Sequence, residues 1–258
     1  MPPTVVIDCF PERARAYKQG YDVVVVDVIR ATTSAITVVA NGGRCFPVSS
    51  VADAHRLALR FANPLLAGEL GGERAPGFEM NNSPAELAAR RDLSRSVILV
   101  SSSGTKLIQE AKSCEMVHLA CLRNSAFLAH RLAGRSSRVA IIGAGSRGEF
   151  REEDQMCCAW IARDLIRAGY RPENGLTARI VKRWQDERPA AIVEGKSASY
   201  LRRSGQLQDL DFILSHINDL TADFVLRDEE VVLMTSDDRV ATPHRGVVDT
   251  RRETSVLW

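Results

Sequence analysis

Two runs of this chain, VVVV at 23–26 and VILV at 97–100, are apolar at every position rather than at alternate ones. A strand with one face in water alternates apolar and polar residues, whereas a strand with no polar face must be covered on both sides. Each run ends in a short polar turn, DVIRATTS or SSSGT, that leads into a helix-forming segment. RVAIIGAG repeats the order, followed by the helical stretch REEDQMCCAWIARDLIRAG. TVVIDCF, RCFPVSS and MVHLACL add strands; ATTSAITVVA, VADAHRLALRFAN, AELAARR, KLIQEAKS and NSAFLAHRLAG add helices. Pro11, Asn41-Gly42-Gly43 and Gly169 punctuate them. This alternation predicts an α/β fold, a three-layer α/β/α arrangement with a mostly parallel or mixed central sheet. Beyond about residue 176 the pattern loosens into helical turns (176–187, SASYLRRSG, LQDLDFILSHIN) and a closing hairpin over DFVLRDEEVVLMTSDDRVATP. We expect one domain over 1–258, with a less regular C-terminal subregion and no role assigned to the last forty residues.

Sheets of this kind hold ligands at the carboxyl ends of their strands. The connections expected there are DVIRATTS, LGGERAPGFEMNNSP, SSSGT and SRGEFREED. Hydroxyls and glycine amides at helix N-termini suit phosphate oxygens. Arg30 can fork onto two of them. Asp27, Glu69, Glu73, Glu79, Glu153 and Asp154 are hard oxygen donors of the kind Mg2+ takes. Carboxylates repel a phosphate unless a divalent cation lies between, so the combination points to metal-assisted phosphoryl chemistry, provided the loops converge. Each piece also has a purely structural reading. Asp27 caps a helix; Thr32, Thr33 and Ser34 bond back to the backbone; SSSGT is a serine-capped turn. Asn82-Ser83-Pro84 starts a helix, and Glu152, Glu153 and Asp154 complement a helix dipole.

Composition narrows the partners. A formal charge of +2 with scattered arginines offers no basic nucleic-acid surface. MPPTVVIDCFPERAR lacks a signal-peptide pattern and no run reaches transmembrane length, so a soluble, cytoplasmic protein without membrane partners is expected; a homo-oligomer is compatible with the sequence. The six cysteines form no CxxC pair or zinc spacing and read as reduced, buried thiols. The histidines fall outside the polar loops, with His55 and His130 on helix surfaces. Gly143–Gly148 (GAGSRG) matches the dinucleotide pattern G-x-G-x-x-G between a strand and a helix. Glu149, Glu152, Glu153 and Asp154 crowd the pyrophosphate position, and no strand-ending acid follows at the required distance. NAD(P) binding stays as an alternative. A Walker lysine, a D-x-D strand end and a GxSxG elbow are absent from the sequence.

Taken in order, DVIRATTS, GE with GFEMNNSP, SSSGT and GAGSRGEFREED resemble the motifs of the 2-phosphosulfolactate phosphatase family, over roughly Val5 to Asn218. The resemblance implies an α/β/α, Mg2+-dependent hydrolase that converts 2-phospho-3-sulfolactate to sulfolactate and phosphate, as in coenzyme M biosynthesis. It places Asp27, Arg30, Thr32 and Thr33 on the first motif and Glu69, Asn82 and Ser83 on the second. Ser103, Gly104 and Thr105 fall on the third, Glu153 and Asp154 on the fourth. The implied catalytic set is Asp27, Arg30, Glu69 and Asp154, with Asp27, Glu69, Glu153 and Asp154 toward the metal. Thr32, Thr33, Asn82, Ser83, Ser103, Gly104 and Thr105 are expected toward the phosphate ester. Leu70, Glu79, Asn81 and Ser103 stand where the family usually has Arg, Asp, Gly and Asn. The departures at Leu70, Asn81 and Ser103 motivate a second reading, a phosphate-ester binding protein without turnover.

Overall fold

The computed structural model describes residues 2–234. Along the chain run β1 (Thr4–Cys9), a 3-10 helix at Pro11–Tyr17, β2 (Asp22–Val26), α1 (Ala31–Ala40), β3 (Cys45–Val48), α2 (Val51–Ala58), β4 (Leu65–Leu70) and β5 (Glu73–Arg74). Then come α3 (Pro84–Ala89), β6 (Val97–Val100), α4 (Gly104–Ala111), β7 (Met116–Ala120), α5 (Ser125–Leu132), β8 (Arg138–Gly143) and α6 (Glu152–Arg167). After β9 (Arg171–Pro172) and α7 (Gly175–Trp184), a 3-10 turn at Pro189–Glu194 leads to α8 (Lys196–Arg203) and α9 (Leu207–Ser215). The hairpin β10 (Phe224–Arg227) and β11 (Glu230–Leu233) follows. Local chemistry sets several starts: Ser50, Ser83 and Asn174 each accept the amide three residues on, capping α2, α3 and α7. The α1 helix stops at Asn41-Gly42, where Gly42 takes φ +80°.

All strands join one mostly parallel sheet of eleven, in the order β5-β4-β6-β3-β11-β10-β7-β2-β8-β1-β9. It contains two parallel blocks, β4-β6-β3 and β7-β2-β8-β1-β9. Helices α1 and α4 pack on one face; the other is covered by α5, α6 and α7 over β2 and by α2 over β6, which is why Val23–Val26 and Val97–Val100 are all buried. The terminal hairpin lies in the middle of the sheet, not at its margin: β10 pairs antiparallel with β7, and β11 antiparallel with β3. The two parallel blocks run in opposite senses, and an antiparallel hairpin is what can pair with both. His118 of β7 secures it, its Nδ1 2.8 Å from Oδ1 of the buried Asp223 just before β10. The part of the expected hairpin beyond Met234 lies outside the described residues.

Opposed blocks would send their carboxyl ends to opposite edges of a flat sheet. Six strand steps separate β4 from β2. At roughly 20–25° of twist per step, the strand direction turns through roughly 120–150°. Twist thus turns the two sets of carboxyl ends toward the same side, and they meet where the start of α4 after β6 abuts Asp27 after β2.

Candidate active site

One cleft of about 860 Å3 collects the turns after β2, β4, β6 and β8, together with α8. Asp27, Arg30, Glu69, Asn82, Ser103 and Asp154 all line it, although they come from four separate stretches of chain. The acids stand close enough to perturb one another. Asp27 is 6% exposed. Burial first, and then the charges of Glu69 and Glu153, push its carboxyl up to about 7; the Ala31 amide and Arg30 pull it down without offsetting this. Asp154 is likewise raised well above the carboxylate range, by burial and then by Asp27 and Glu153.

Each acid is held differently. Asp27 Oδ1 accepts the Ala31 amide at 3.1 Å, so it does cap α1, but with one oxygen. The other faces Gly104, where a Cβ would lie 2.0 Å from Oδ2. Only a glycine lets the start of α4 approach that closely. Asp154 Oδ1 accepts the Val28 amide at 2.8 Å and Oδ2 the Gly145 amide at 3.2 Å, tying α6 to the turns after β2 and β8. Glu69 accepts the Ser102 amide (2.6 Å), the Ser102 hydroxyl (3.0 Å) and the Gly72 amide (2.6 Å), which fixes its orientation between two loops. Glu153 lies behind the cleft wall, 1% exposed, beside Ser197 and Gly195. Its Oε2 has no hydrogen-bond partner, and burial raises its carboxyl too.

Arg30 spans the cleft wall to the C-terminal subregion. Its Nη1 donates to Asp209 Oδ2 at 2.6 Å and to Gln206 Oε1, and its Nη2 to Asn81 Oδ1 at 3.0 Å. The peptide joining Ile29 to Arg30 is cis.

Five residues expected to bind the phosphate ester do not line the cleft. Thr32 Oγ1 accepts the Asp27 amide at 2.9 Å and lies 2.7 Å from the Ala120 carbonyl. Thr33 donates to the Val28 carbonyl at 2.8 Å, and Thr105 to the Ser101 carbonyl at 3.0 Å. Ser83 caps α3 and donates to Asp209, while the Gly104 amide is taken by Ser101 Oγ at 2.9 Å. The reason is common to all: a buried hydroxyl or amide pairs with the nearest backbone or side-chain partner, and these are enclosed. Ser103, by contrast, makes no capping bond and remains on the cleft.

The sequence reading expected the loop after β8 at the cleft but gave Arg147 and Arg151 no role there, and it missed the contribution of α8. Lys196, Tyr200, Arg203, Arg147 and Arg151 line it. Lys196 and Arg151 both pair with Glu149, at 2.6 and 3.3 Å. Tyr200 packs its hydroxyl end against Gly72, where a Cβ would fall 2.3 Å from its hydroxyl. The available signal was the run of basic residues in KSASYLRR, which reads equally well as a solvated helix face. The dinucleotide alternative loses its anion cradle: Gly145 donates its amide to Asp154 and Ser146 its amide to the Glu149 carbonyl.

Among the described residues, no three His, Cys, Asp or Glu side chains form a cluster that holds a metal alone. Mg2+ does not require one, since it commonly takes one or two carboxylates and completes its shell with water and substrate phosphate. The donors present fit it: all are hard oxygens, among the described residues only Oδ1 of Asp27 accepts a hydrogen bond, and the Oδ1 of the cleft residue Asn82 is buried without a partner there.

Comparison with known proteins agrees with this geometry. The 2-phosphosulpholactate phosphatase family model matches residues 9–222. A protein named probable 2-phosphosulfolactate phosphatase from Symbiobacterium thermophilum is 34% identical over 225 residues, covering 83% of this chain and 95% of the relative. One of the same name from Deinococcus radiodurans is 32% identical over 194 residues, covering 73% and 80%. With its acids gathered at the strand ends and the match running through all four motifs, the chain belongs to the 2-phosphosulfolactate phosphatase family, a family of phosphoric monoester hydrolases.

Proposed function

We propose that the cleft hydrolyses the phosphate monoester of a small 2-hydroxy acid, 2-phospho-3-sulfolactate to sulfolactate and phosphate, with Mg2+ as cofactor. The carrying observation is the meeting of Asp27, Arg30 and Asp154 in one cleft, a buried acid pair beside a guanidinium. Asp27 and Asp154 are the residues to hold Mg2+, with Glu69 bracing the loop beside them. The bound ion supplies charge neutralisation at the phosphoryl oxygens. Arg30 takes up charge on those oxygens through the N–H groups not spent on Asn81, Gln206 and Asp209. Ser103 and Asn82 offer further hydrogen bonds to the ester. Lys196, Arg147 and Arg203 give the cleft a cationic side that suits the carboxylate and sulfonate of the same molecule. The reaction is of the coenzyme M biosynthesis type, and a cytoplasmic setting is consistent with it; among the described residues no helix is long and apolar enough to cross a membrane.

The test is phosphate release from 2-phosphosulfolactate with purified protein. Release in Mg2+ that stops on chelation supports the reading. Release indifferent to chelation removes the metal from it. Saturable binding without release under any divalent ion favours the binding protein instead.

A further inference from the structure

We propose that Asp209 is a positioning residue for Arg30: it fixes the guanidinium that receives the phosphate. The inference rests on the phosphate-ester reading of the cleft and deepens it. Asp209 comes from α9, 179 residues from Arg30 in sequence, and is 0% exposed. It does not line the cleft, so it acts through a neighbour. Its two oxygens have separate duties. Oδ2 accepts Arg30 Nη1 at 2.6 Å, while Oδ1 accepts the Ser83 hydroxyl and the Ala85 amide, the latter at 3.3 Å. The same carboxylate therefore fastens the start of α3 and the cleft arginine together.

Two more supports converge on that guanidinium. Gln206 accepts from Nη1 and also receives Asn81 Nδ2 at 3.1 Å; Asn81 in turn accepts Nη2 and donates to the Gly72 carbonyl at 3.2 Å. An arginine carries two Nη groups and one Nε–H. With both Nη1 hydrogens and one of Nη2 fixed by these three side chains, the remaining donors are presented at one orientation. A guanidinium so held loses little freedom when an oxyanion arrives, and misplacing it is costly for both binding and turnover.

Asp209→Asn is the direct test. An amide keeps the volume but has one acceptor oxygen, so its NH2 must face either Arg30 or the Ser83–Ala85 pair. We expect the affinity for inorganic phosphate, by calorimetry below the unfolding range, and kcat/KM each to fall roughly tenfold to a hundredfold. Arg30→Lys falls similarly, and the double variant falls no further than Arg30→Lys. Ser83→Ala cuts the other arm of Asp209; it lowers the melting temperature but leaves phosphate affinity within about twofold. Phosphate affinity and kcat/KM unchanged in Asp209→Asn, or losses that multiply in the double variant, overturn the proposal. If Asp209→Asn does not fold, Asp209→Glu keeps the charge but lengthens the arm by one methylene and displaces the guanidinium it holds, and unchanged phosphate affinity and kcat/KM there overturn it equally. Wild-type protein that binds no phosphate overturns it as well. Wild-type protein that binds phosphate yet hydrolyses no 2-phosphosulfolactate defeats the substrate reading alone, and the phosphate affinities still decide the role of Asp209.

Discussion

Asp27→Asn in metal-free protein separates a catalytic acid from a structural cap. The Asp27 carboxyl ordinarily titrates near 3.8 and is pushed up to about 7 in the fold, chiefly by burial. The folded state thus holds this proton more tightly than the unfolded chain. Stability from this source is complete below about 4 and is lost as pH rises through about 7. At about 1.36 kcal/mol per pKa unit, the loss by pH 8 is on the order of 4 kcal/mol. For a chain of this size that corresponds to on the order of 10 °C in melting temperature. Asparagine keeps an oxygen for the Ala31 amide and carries no charge, so it removes the ionisation while retaining the cap. Melting curves in chelator should show the variant more stable than the wild type at pH 8, with the difference closing toward pH 4. Added Mg2+ should raise the wild-type midpoint at pH 8 and leave the variant nearly unmoved, while turnover is largely lost. A variant less stable than the wild type at pH 8 without metal refutes the reasoning, because Asp27 would then be a stabilising cap rather than a buried acid awaiting a cation.

Gly104→Ala places a methyl 2.0 Å from Asp27 Oδ2 and 2.4 Å from Ala31 Cβ, so α4 must shift; phosphate release should fall at least as far as in Asp27→Asn, measured in the same assay. Thr33→Val strands the Val28 carbonyl and should cost about 1–3 kcal/mol in denaturant unfolding with kcat changed by less than about threefold, since Thr33 does not line the cleft. Burial raises the thiols of Cys45, Cys157 and Cys158 and pushes Cys121 up to about 11, so these four should resist iodoacetamide at pH 8 in the native protein and react on unfolding; mass spectrometry showing early modification of Cys157 would count against the packing of α6.

The parts of this fold legible in the sequence are those written in short, local code. Val23–Val26 and Val97–Val100 announce doubly covered strands because burial on both faces leaves no polar position to alternate. Ser83-Pro84 and Asn41-Gly42 mark helix ends because the capping chemistry acts over three or four residues. The convergence of Asp27, Glu69 and Asp154 was inferable only through the rule that ligands gather at strand ends. Three features escaped for physical reasons. The hairpin Phe224–Leu233 reads as any hairpin does, and its central place depends on the relative sense of two distant blocks, which no local pattern encodes. Hydroxyls of Thr32, Thr33 and Thr105 have the composition of a phosphate loop, yet their direction is set by which backbone carbonyl lies nearest once the helix packs. Asp209 looked like any acid on an amphipathic helix until Arg30 was placed against it.

The balance of buried charge explains why these features belong together. Asp27, Glu69, Glu153, Asp154 and Asp209 are buried around Arg30, itself buried, and Asp209 is its ion-pair partner. Arg30 and Asp209 neutralise each other, so among the described residues the other four acids make no buried ion pair; Lys196 and Arg151 are engaged with Glu149 nearer the solvent. Uncompensated buried carboxylates are expensive and are relieved either by protons or by a cation. The raised carboxyls of Asp27, Glu153 and Asp154 express the first route. A divalent ion is the second, and the two compete for the same oxygens. Mg2+ affinity should therefore strengthen as pH rises from 5 to 8, each ion displacing protons that calorimetry in buffers of different ionisation enthalpy would count. Replacing Arg30 by an uncharged residue should deepen the deficit, leaving Asp209 unpaired in the core, and so cost stability as well as phosphate binding.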